Sequence, residues 1–95
     1  MQFIWDEKKE KINTIKHGMT FSMAAQVFFD AYRVELYDEA HSVFEDRYIS
    51  IGFVKEVTCF VTVVYTERGD SIRIISARKS TDEERGWYYG HLCGY

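Results

Sequence analysis

Three arginines lie close together in the second half of the chain, where they could bind phosphate. Arg68 precedes a Gly-Asp pair, and Arg73 and Arg78 follow on the returning segment. A guanidinium group binds phosphate through two parallel hydrogen bonds and stabilises the charge of a phosphorane transition state. Metal-free RNA cleavage needs such groups. Pairing with acids of this chain or of a partner is the alternative role, and the two are weighed equally.

RNA cleavage also needs a base for the 2′-hydroxyl proton and an acid for the leaving 5′-oxygen. The candidates are His17, at the end of the first predicted helix, and His41 and Glu45 in an acidic segment. A single histidine at a helix end, such as His17, is more often a capping or packing residue than a catalytic one. Asp38, His41 and Glu45 have the residue types of a metal site, but no H-E-x-x-H or equivalent spacing supports one. We therefore expect neither a metal nor a cofactor.

Other basic and aromatic side chains are candidates for contacting the RNA chain. Lys8 and Lys16 lie on the first predicted helix and could follow the RNA backbone, although solubility alone also explains them. Arg47, Lys79 and Tyr65 belong to the strand-rich half that carries the three arginines. An aromatic ring there could stack on an unpaired base.

Composition limits the chain to one small domain, residues 1–95, with a core rich in aromatic residues. The hydrophobic share is 46% and the aromatic share 17%, which argues against disorder. The two cysteines, Cys59 and Cys93, are expected to be free thiols. No signal peptide or membrane span is evident, so the expected location is the cytoplasm. The absence of a Walker loop, a G-x-G-x-x-G motif and a G-x-S-x-G motif leaves nucleotide binding and the hydrolase elbow without support.

Charge is divided unevenly along the chain, although the formal total is only -3. Residues 30–46 carry six acids and one arginine, a net charge of -5, whereas residues 47–79 carry a net charge of +3. Such asymmetry marks an anionic ligand or a charged partner, or simply solvated strand edges. The net charge therefore does not exclude an RNA enzyme.

The elements that must position these residues are predicted from periodicity. The segment 2–5 suits a strand, and a helix over about residues 7–16 follows Asp6 as N-cap and stops at Gly18. Ile12, Ile15 and Met19 form its apolar stripe. A second, buried helix follows Thr20 and continues to Phe29, with apolar residues at three- and four-residue spacing.

Period-two patterns then predict four antiparallel strands, around residues 33–37, 48–53, 57–66 and 71–78. Gly69 and Asp70 form the last hairpin turn, and Thr81 with Glu84 forms a capping box that opens a final helix. This order predicts an α+β fold, a small antiparallel meander sheet with two N-terminal helices packed on one face and a C-terminal helix. The odd spacing of Arg73 and Arg78 separates them on an unbroken strand, and a one-residue bulge would reverse that assignment.

Several motifs together resemble the BrnT toxins of type II toxin–antitoxin systems. The match begins with Phe3-Ile4-Trp5-Asp6 and Lys16-His17-Gly18 and includes the run Arg-Ile-Ile-Ser-Ala-Arg over residues 73–78. It continues through further residues in order: His41, Ser42, Glu45, Asp46, Arg47, Ile51, Gly52, the run 63–68, Glu84 and Arg85. The resemblance covers nearly the whole chain.

This resemblance implies a RelE/ParE-like fold and a ribonuclease that degrades mRNA, either free or ribosome-associated, and arrests growth. It also implies a BrnA antitoxin with a ribbon-helix-helix DNA-binding domain. Toxin and antitoxin would form a heterotetramer that contacts operator DNA only through the antitoxin. Two alternatives remain open: a binding module without activity, whose arginines bind an acidic partner, and a ParE-like toxin that inhibits gyrase.

Overall fold

Five strands form one sheet in the computed structural model, which describes residues 1–93. The strands are β1 (Gln2–Ile4), β2 (Val34–Tyr37), β3 (Tyr48–Val54), β4 (Cys59–Arg68) and β5 (Ser71–Lys79), and their order in the sheet is β1-β5-β4-β3-β2. Strands β2 to β5 form the predicted antiparallel meander. With three helices, the α+β class is confirmed.

The prediction of a purely antiparallel sheet is wrong at β1. This strand pairs in parallel with β5, and Phe3 lies opposite Ile72. The two strands are separated by about two thirds of the chain, so no local turn sets their relative direction. The sheet is therefore mixed, with its one parallel pair at the edge.

The three helices begin where the sequence places their caps. Helix α1 (Glu7–His17) follows Asp6, whose carboxylate accepts hydrogen bonds from the backbone of Lys8 and Lys9, and ends at Gly18 in the left-handed conformation, φ 67°. Helix α2 (Phe21–Ala25) follows Thr20 and continues as a 3₁₀ helix, Gln26–Phe29. Helix α3 (Asp82–Leu92) opens with the predicted capping box of Thr81 and Glu84.

Of the expected apolar stripe Ile12, Ile15 and Met19, only Met19, which follows α1, lies in the core. Ile12 is 65% exposed and Ile15 is 87% exposed, whereas the polar residue Asn13 is buried. The Asn13 amide donates hydrogen bonds to the carbonyls of Met19 and Ala77, at 2.9 and 2.8 Å, and accepts one from the Ala77 backbone N–H at 3.1 Å. Helix α1 is thus attached to β5 by hydrogen bonds that satisfy strand backbone, which hydrophobic periodicity does not reveal.

Side chains are buried on both faces of the sheet. One cluster contains Phe21, Phe28 and Tyr65 together with apolar residues of β3, β4 and β5. A smaller cluster joins Val34 and Ile51 to Tyr88 of α3. Alternation along β3 puts Ile51 and Val54 on opposite faces, so α3 covers part of the face that the sequence analysis left to polar residues.

A β-bulge in β5 decides where its two arginines lie. Val64 pairs with Ser76 and Tyr65 with Ile74, which leaves Ile75 without a partner. As a result Arg78 lies opposite Thr62 and Arg73 lies opposite Thr66. Thr62 and Thr66 are four residues apart on β4 and share a face, so Arg73 and Arg78 share it too.

Within residues 1–93, no helix is long and apolar enough to cross a membrane.

Candidate active site

The face that carries Arg68, Arg73 and Arg78 is called here the arginine face. Arg68 pairs with Ser71 across a two-residue turn, in which Gly69 adopts φ 61° as the predicted hairpin requires. Arg68 is two residues from Thr66, and alternation puts both on this face. Three cationic side chains therefore lie on one side of β4 and β5.

Arg68 contacts one of the predicted acid–base residues. Its Nη2 atom donates to both carboxylate oxygens of Glu45, at 3.1 and 3.2 Å. Both side chains are about half exposed, so the pair remains open to solvent and to a substrate. The structure thus joins Glu45 and Arg68, which are 23 residues apart in the chain.

The loop between β2 and β3 positions Glu45. The Ser42 hydroxyl donates to the Asp38 carbonyl at 2.6 Å and accepts from the Arg47 N–H at 2.9 Å, and the Asp38 N–H donates to the Arg47 carbonyl at 2.8 Å. These bonds close the loop at its base. The His41 ring bonds to the Asp38 carboxylate through Nδ1 at 2.9 Å, and its side chain is 68% exposed.

Arg78 forms an ion pair with another residue of the same chain, Glu84. Its Nη1 and Nη2 donate to the two carboxylate oxygens of Glu84 at 2.7 and 2.9 Å. Glu84 also accepts hydrogen bonds from the Thr62 hydroxyl and the Thr81 N–H. Burial acts to raise the pKa of Glu84, but Arg78 and these donors outweigh it and hold that pKa at about 2. Glu84 is therefore ionised at neutral pH and ties α3 to the sheet.

Two predicted site residues differ from Arg68 and Arg78 in having no carboxylate partner among residues 1–93. Arg73 and Arg47 appear in none of the salt bridges of this part of the chain. Arg73 lies opposite Thr66. Arg47 directly precedes β3 and, by alternation with Ile49, lies on the arginine face. The backbone N–H groups of Lys9 and Lys8 lower the pKa of the Asp6 carboxylate, and the charge of Arg73 is a smaller cause of that shift. Both guanidinium groups can therefore still bind an anion.

Tyr65 is a core residue, which corrects its proposed role in stacking on RNA. It is 2% exposed, and its ring packs edge-on against Phe28 and is stacked with Tyr48. Its hydroxyl accepts a hydrogen bond from the buried Ser50 at 3.2 Å. No face of the ring is open to a nucleobase.

The structure does not bring His17 to the Arg68–Glu45 pair. Ile4, just before α1, pairs with Arg73, and Asn13 bonds to Ala77, so α1 runs along β5 toward Lys79. His17, in its last turn, therefore lies at the far end from Arg68. Lys8 and Lys16 are exposed at the first and last turns of α1, and Lys79 is exposed at the end of β5.

A cavity of about 600 Å³ opens at the other end of β3 and β4. Five of its eleven lining residues are aromatic. The Asp30 carboxylate accepts hydrogen bonds there from the Phe53 N–H, the Tyr32 N–H and the Tyr88 hydroxyl. Burial acts to raise the pKa of Asp30, but these donors lower it below its usual value. Lys55 is the cavity's one basic residue, so it lacks the charge expected of an RNA backbone site.

Sequence reasoning assigned no role at the site to two residues near the arginine face, Thr66 and Glu84. Thr66 gave no signal, because a threonine in a strand is ordinary. Glu84 was identified through its capping-box spacing and the family resemblance, neither of which reveals its ion pair with Arg78. Within residues 1–93, no three His, Cys, Asp or Glu side chains form a group that could hold a metal ion. Metal independence stays a prediction.

Comparison with known families identifies the chain. A family model described as the ribonuclease toxin BrnT of type II toxin–antitoxin systems matches residues 5–84. No curated protein matches the sequence. The matched region contains β2 to β5, the loop that carries Glu45 and all three arginines of the arginine face. This result confirms the resemblance stated from the sequence motifs, and the chain belongs to the BrnT family of ribonuclease toxins, which act on RNA and have a protein antitoxin as partner.

Proposed function

We propose that the protein is a metal-independent endoribonuclease that cleaves mRNA in the cytoplasm and thereby arrests growth. The observation that carries this proposal is the contact of Arg68 with Glu45 on the face that also presents the unpaired Arg73. A carboxylate and cationic groups on one surface supply what 2′-hydroxyl attack on phosphorus requires. The family's description as ribonuclease toxins supports the same reaction class.

The chemistry divides between charge stabilisation and proton transfer. Glu45 accepts the proton of the 2′-hydroxyl as its oxygen attacks the adjacent phosphorus. Arg68 and Arg73 hold the non-bridging oxygens and stabilise the charge of the phosphorane. The bond from phosphorus to the 5′-oxygen then breaks, and the products are a 2′,3′-cyclic phosphate and a 5′-hydroxyl. The RNA supplies its own nucleophile.

His41 is the proposed acid for the leaving 5′-oxygen. It belongs to the same closed loop as Glu45, and its Nδ1 is held by Asp38, which leaves Nε2 for the substrate. A protonated imidazole is a suitable donor near neutral pH. His17 is at the other end of α1 and is not part of this proposal.

Arg78 has an anchoring role in this proposal rather than a phosphate-binding one. Its two terminal nitrogens are bonded to Glu84, and that pair fixes the start of α3 on the arginine face. A substrate phosphate would have to compete with a carboxylate that is itself hydrogen-bonded by Thr62 and the Thr81 backbone. The phosphate ligands are therefore expected at the Arg68 end of the face. Arg47 would bind RNA beside them, and Lys8 and Lys16 would follow the RNA chain beyond the cleaved bond.

The antitoxin of this proposal is a BrnA-like protein with a ribbon-helix-helix domain. Toxin and antitoxin assemble as a heterotetramer, and operator DNA is contacted through the antitoxin. The support is the type II toxin–antitoxin family to which the chain belongs.

Two experiments test the proposal. The purified chain is incubated with an mRNA in EDTA, and the products are examined for 2′,3′-cyclic phosphate ends. Cleavage that persists in EDTA and leaves these ends is expected. In cells, expression of the toxin alone should arrest growth and degrade RNA. Co-expression with the antitoxin should restore growth and leave the RNA intact.

Three results would contradict the proposal in different ways. Cleavage that requires a divalent ion would refute the metal-independent mechanism. Intact RNA together with inhibited DNA supercoiling would instead indicate a gyrase toxin. Intact RNA and normal supercoiling at every protein concentration would indicate a binding module.

A further inference from the structure

Three side chains lie in one row across the arginine face, on neighbouring strands. Thr66 is paired with Arg73 of β5. On the other side, Tyr48 pairs with Tyr65, so the next position along each strand places Arg47 opposite Thr66. The bond from the Asp38 N–H to the Arg47 carbonyl extends the adjacent β2–β3 pairing to Arg47, so the extended backbone continues one residue before β3. The row is therefore Arg47, Thr66 and Arg73.

The hydroxyl of Thr66 is buried without a hydrogen-bond partner. The residue is 0% exposed, and its Oγ1 atom has no partner within residues 1–93. An unsatisfied buried hydroxyl destabilises a fold, and native proteins retain few of them. Thr62, four residues earlier on the same strand, contrasts with it, because its hydroxyl bonds to both Ser80 and Glu84. The Thr62 hydroxyl thus has hydrogen-bond partners inside the fold, and the Thr66 hydroxyl has none within residues 1–93.

The arginines beside Thr66 are distinguished in the same way. The other arginines of the described chain each have a carboxylate partner: Arg33 with Glu35, Arg68 with Glu45, Arg78 with Glu84 and Arg85 with Asp82. Arg47 and Arg73 have none within residues 1–93. Two unpaired cations on either side of an unpaired hydroxyl are the groups that bind a phosphate oxygen.

We propose that the row Arg47, Thr66 and Arg73 is the binding site for one phosphodiester group of single-stranded RNA. The Thr66 hydroxyl donates to a non-bridging oxygen, and the two guanidinium groups neutralise the phosphate from either side. This inference rests on the proposed function and deepens it. Thr66 and Arg68 are neighbours on one face of β4, so a phosphate in the row lies next to the Arg68–Glu45 pair.

Burial of Thr66 in the free chain is compatible with this role. Its neighbours on the face include the long side chains of Arg47, Arg68 and Arg73. Access to the hydroxyl requires side chains on this face to move, and arginine side chains are long and flexible enough to do so when an anion binds. Binding then gives the hydroxyl the partner that the free fold does not supply.

The test uses an RNA oligonucleotide with 2′-deoxy substitutions, which binds but cannot be cleaved. Its dissociation constant is measured over a range of salt concentrations for the wild type, Thr66→Val and Thr66→Ser. Valine has the shape of threonine without the hydroxyl, and serine restores it. We expect Thr66→Val to weaken binding about tenfold, and Thr66→Ser to bind within about threefold of wild type.

The salt dependence separates the hydroxyl from the charges. Thr66→Val removes no cation, so the slope of log K against log salt should stay at the wild-type value. Arg47→Gln and Arg73→Gln should each lower that slope by about 0.7. Thr62→Val is the matched control, since its hydroxyl faces Glu84, and it should leave the RNA affinity unchanged.

Thermal unfolding measures the stability of Thr66→Val independently of its RNA affinity. Because valine removes an unpaired buried hydroxyl, Thr66→Val should be at least as stable as wild type. A variant that is more stable and binds RNA less well supports the site. The proposal is overturned if Thr66→Val binds like wild type, or if it is destabilised, since the hydroxyl then has a partner within the fold.

The outcome is separable from that of the proposed function. If the wild type does not cleave RNA, binding of the uncleavable oligonucleotide still decides whether the row binds phosphate. If the wild type cleaves RNA and Thr66→Val binds and cleaves equally well, only the role of Thr66 is refuted.

Discussion

One terminal nitrogen of Arg68 bonds to both carboxylate oxygens of Glu45, at 3.1 and 3.2 Å. This contact joins the end of β4 to the loop that follows β2. Because both side chains are about half exposed, the pair contributes little to stability, and a phosphate can replace the carboxylate on the guanidinium. The contact therefore positions a proton acceptor beside a phosphate ligand.

Replacing Glu45 by glutamine should abolish most of the RNA cleavage. Glutamine keeps the shape of the side chain but accepts a proton poorly, so the cleavage rate should fall about 100-fold or more. The free energy of unfolding should change by less than about 1 kcal/mol, since the ion pair is exposed. Cleavage is measured with purified protein and labelled RNA, and stability by urea unfolding.

Asp82→Asn is the matched control for this change, because Asp82 forms an exposed ion pair with Arg85 on α3. It should leave cleavage at the wild-type rate. If Glu45→Gln cleaves RNA as fast as this control does, Glu45 is not the base.

The Glu84 carboxylate should make the protein's stability sensitive to acid. Burial opposes its ionisation, but the bonds from Arg78, Thr62 and Thr81 lower its pKa from 4.5 to about 2. A pKa lowered in the folded state stabilises the protein above pH 4.5, and this stabilisation is lost as the pH falls from about 4.5 to about 2. The difference corresponds to at most about 3 kcal/mol.

This is measured by urea unfolding of the wild type and Glu84→Gln from about pH 2 to about pH 7, a range that covers the pH window of the loss and the constant region above it. Glu84→Gln should be less stable at neutral pH, and the difference should close toward the acid end. A difference that is constant over the whole series would show that the charge of Glu84 is not responsible.

Substitutions of Arg78 and Arg73 should affect different properties, stability and RNA binding respectively, although the two residues share one face and one strand. Arg78→Gln should lower the free energy of unfolding by about 2 kcal/mol, because it leaves the buried Glu84 carboxylate with fewer donors. Arg73→Gln should leave stability almost unchanged and weaken RNA binding. Both are measured by urea unfolding and by titration with RNA. If Arg78→Gln and Arg73→Gln were equally stable and lost the same RNA affinity, Arg78 would also be a phosphate ligand.

Asn13→Ala should destabilise the fold more than any change at the apolar residues of α1. It removes three hydrogen bonds that connect α1 to Met19 and to the backbone of β5. The Ala77 N–H and carbonyl lose the Asn13 amide as their partner, and the Met19 carbonyl keeps only a long bond from the Thr14 hydroxyl, at 3.4 Å. The expected loss is about 2–4 kcal/mol by urea unfolding. Ile15→Ala, at an exposed position of the same helix, should cost less than about 0.5 kcal/mol. An equal effect of the two would contradict this account of α1.

Local signals in the sequence predicted most of the elements and their ends. The caps at Asp6, Thr20 and Thr81, the stop at Gly18 and the turn at Gly69 are all found in the structure. Each depends on a few neighbouring residues, whose preference for a cap or a turn is intrinsic.

Relationships between distant segments were not predictable in the same way. The parallel pairing of β1 and the burial of Asn13 depend on segments that are far apart in the chain. The bulge at Ile75 lies within one hairpin, but period-two alternation does not reveal it. At the site, the residue types of Arg68 and Glu45 suggested chemistry, but only the fold brings them together. Tyr65 was misjudged because alternation does not tell which face of a strand is buried.

The bonds of Asn13 to β5 also affect how this sheet meets other chains. An open edge on a long strand invites pairing with strands of other molecules. In β5, the first three residues are paired with β1, and the backbone of Ala77 is occupied by the Asn13 amide. The three longest strands thus lie inside the sheet or under cover, and its outermost strands, β1 and β2, have three and four residues. Asn13 therefore protects the toxin against edge-to-edge aggregation, and a variant that loses it should aggregate as well as unfold.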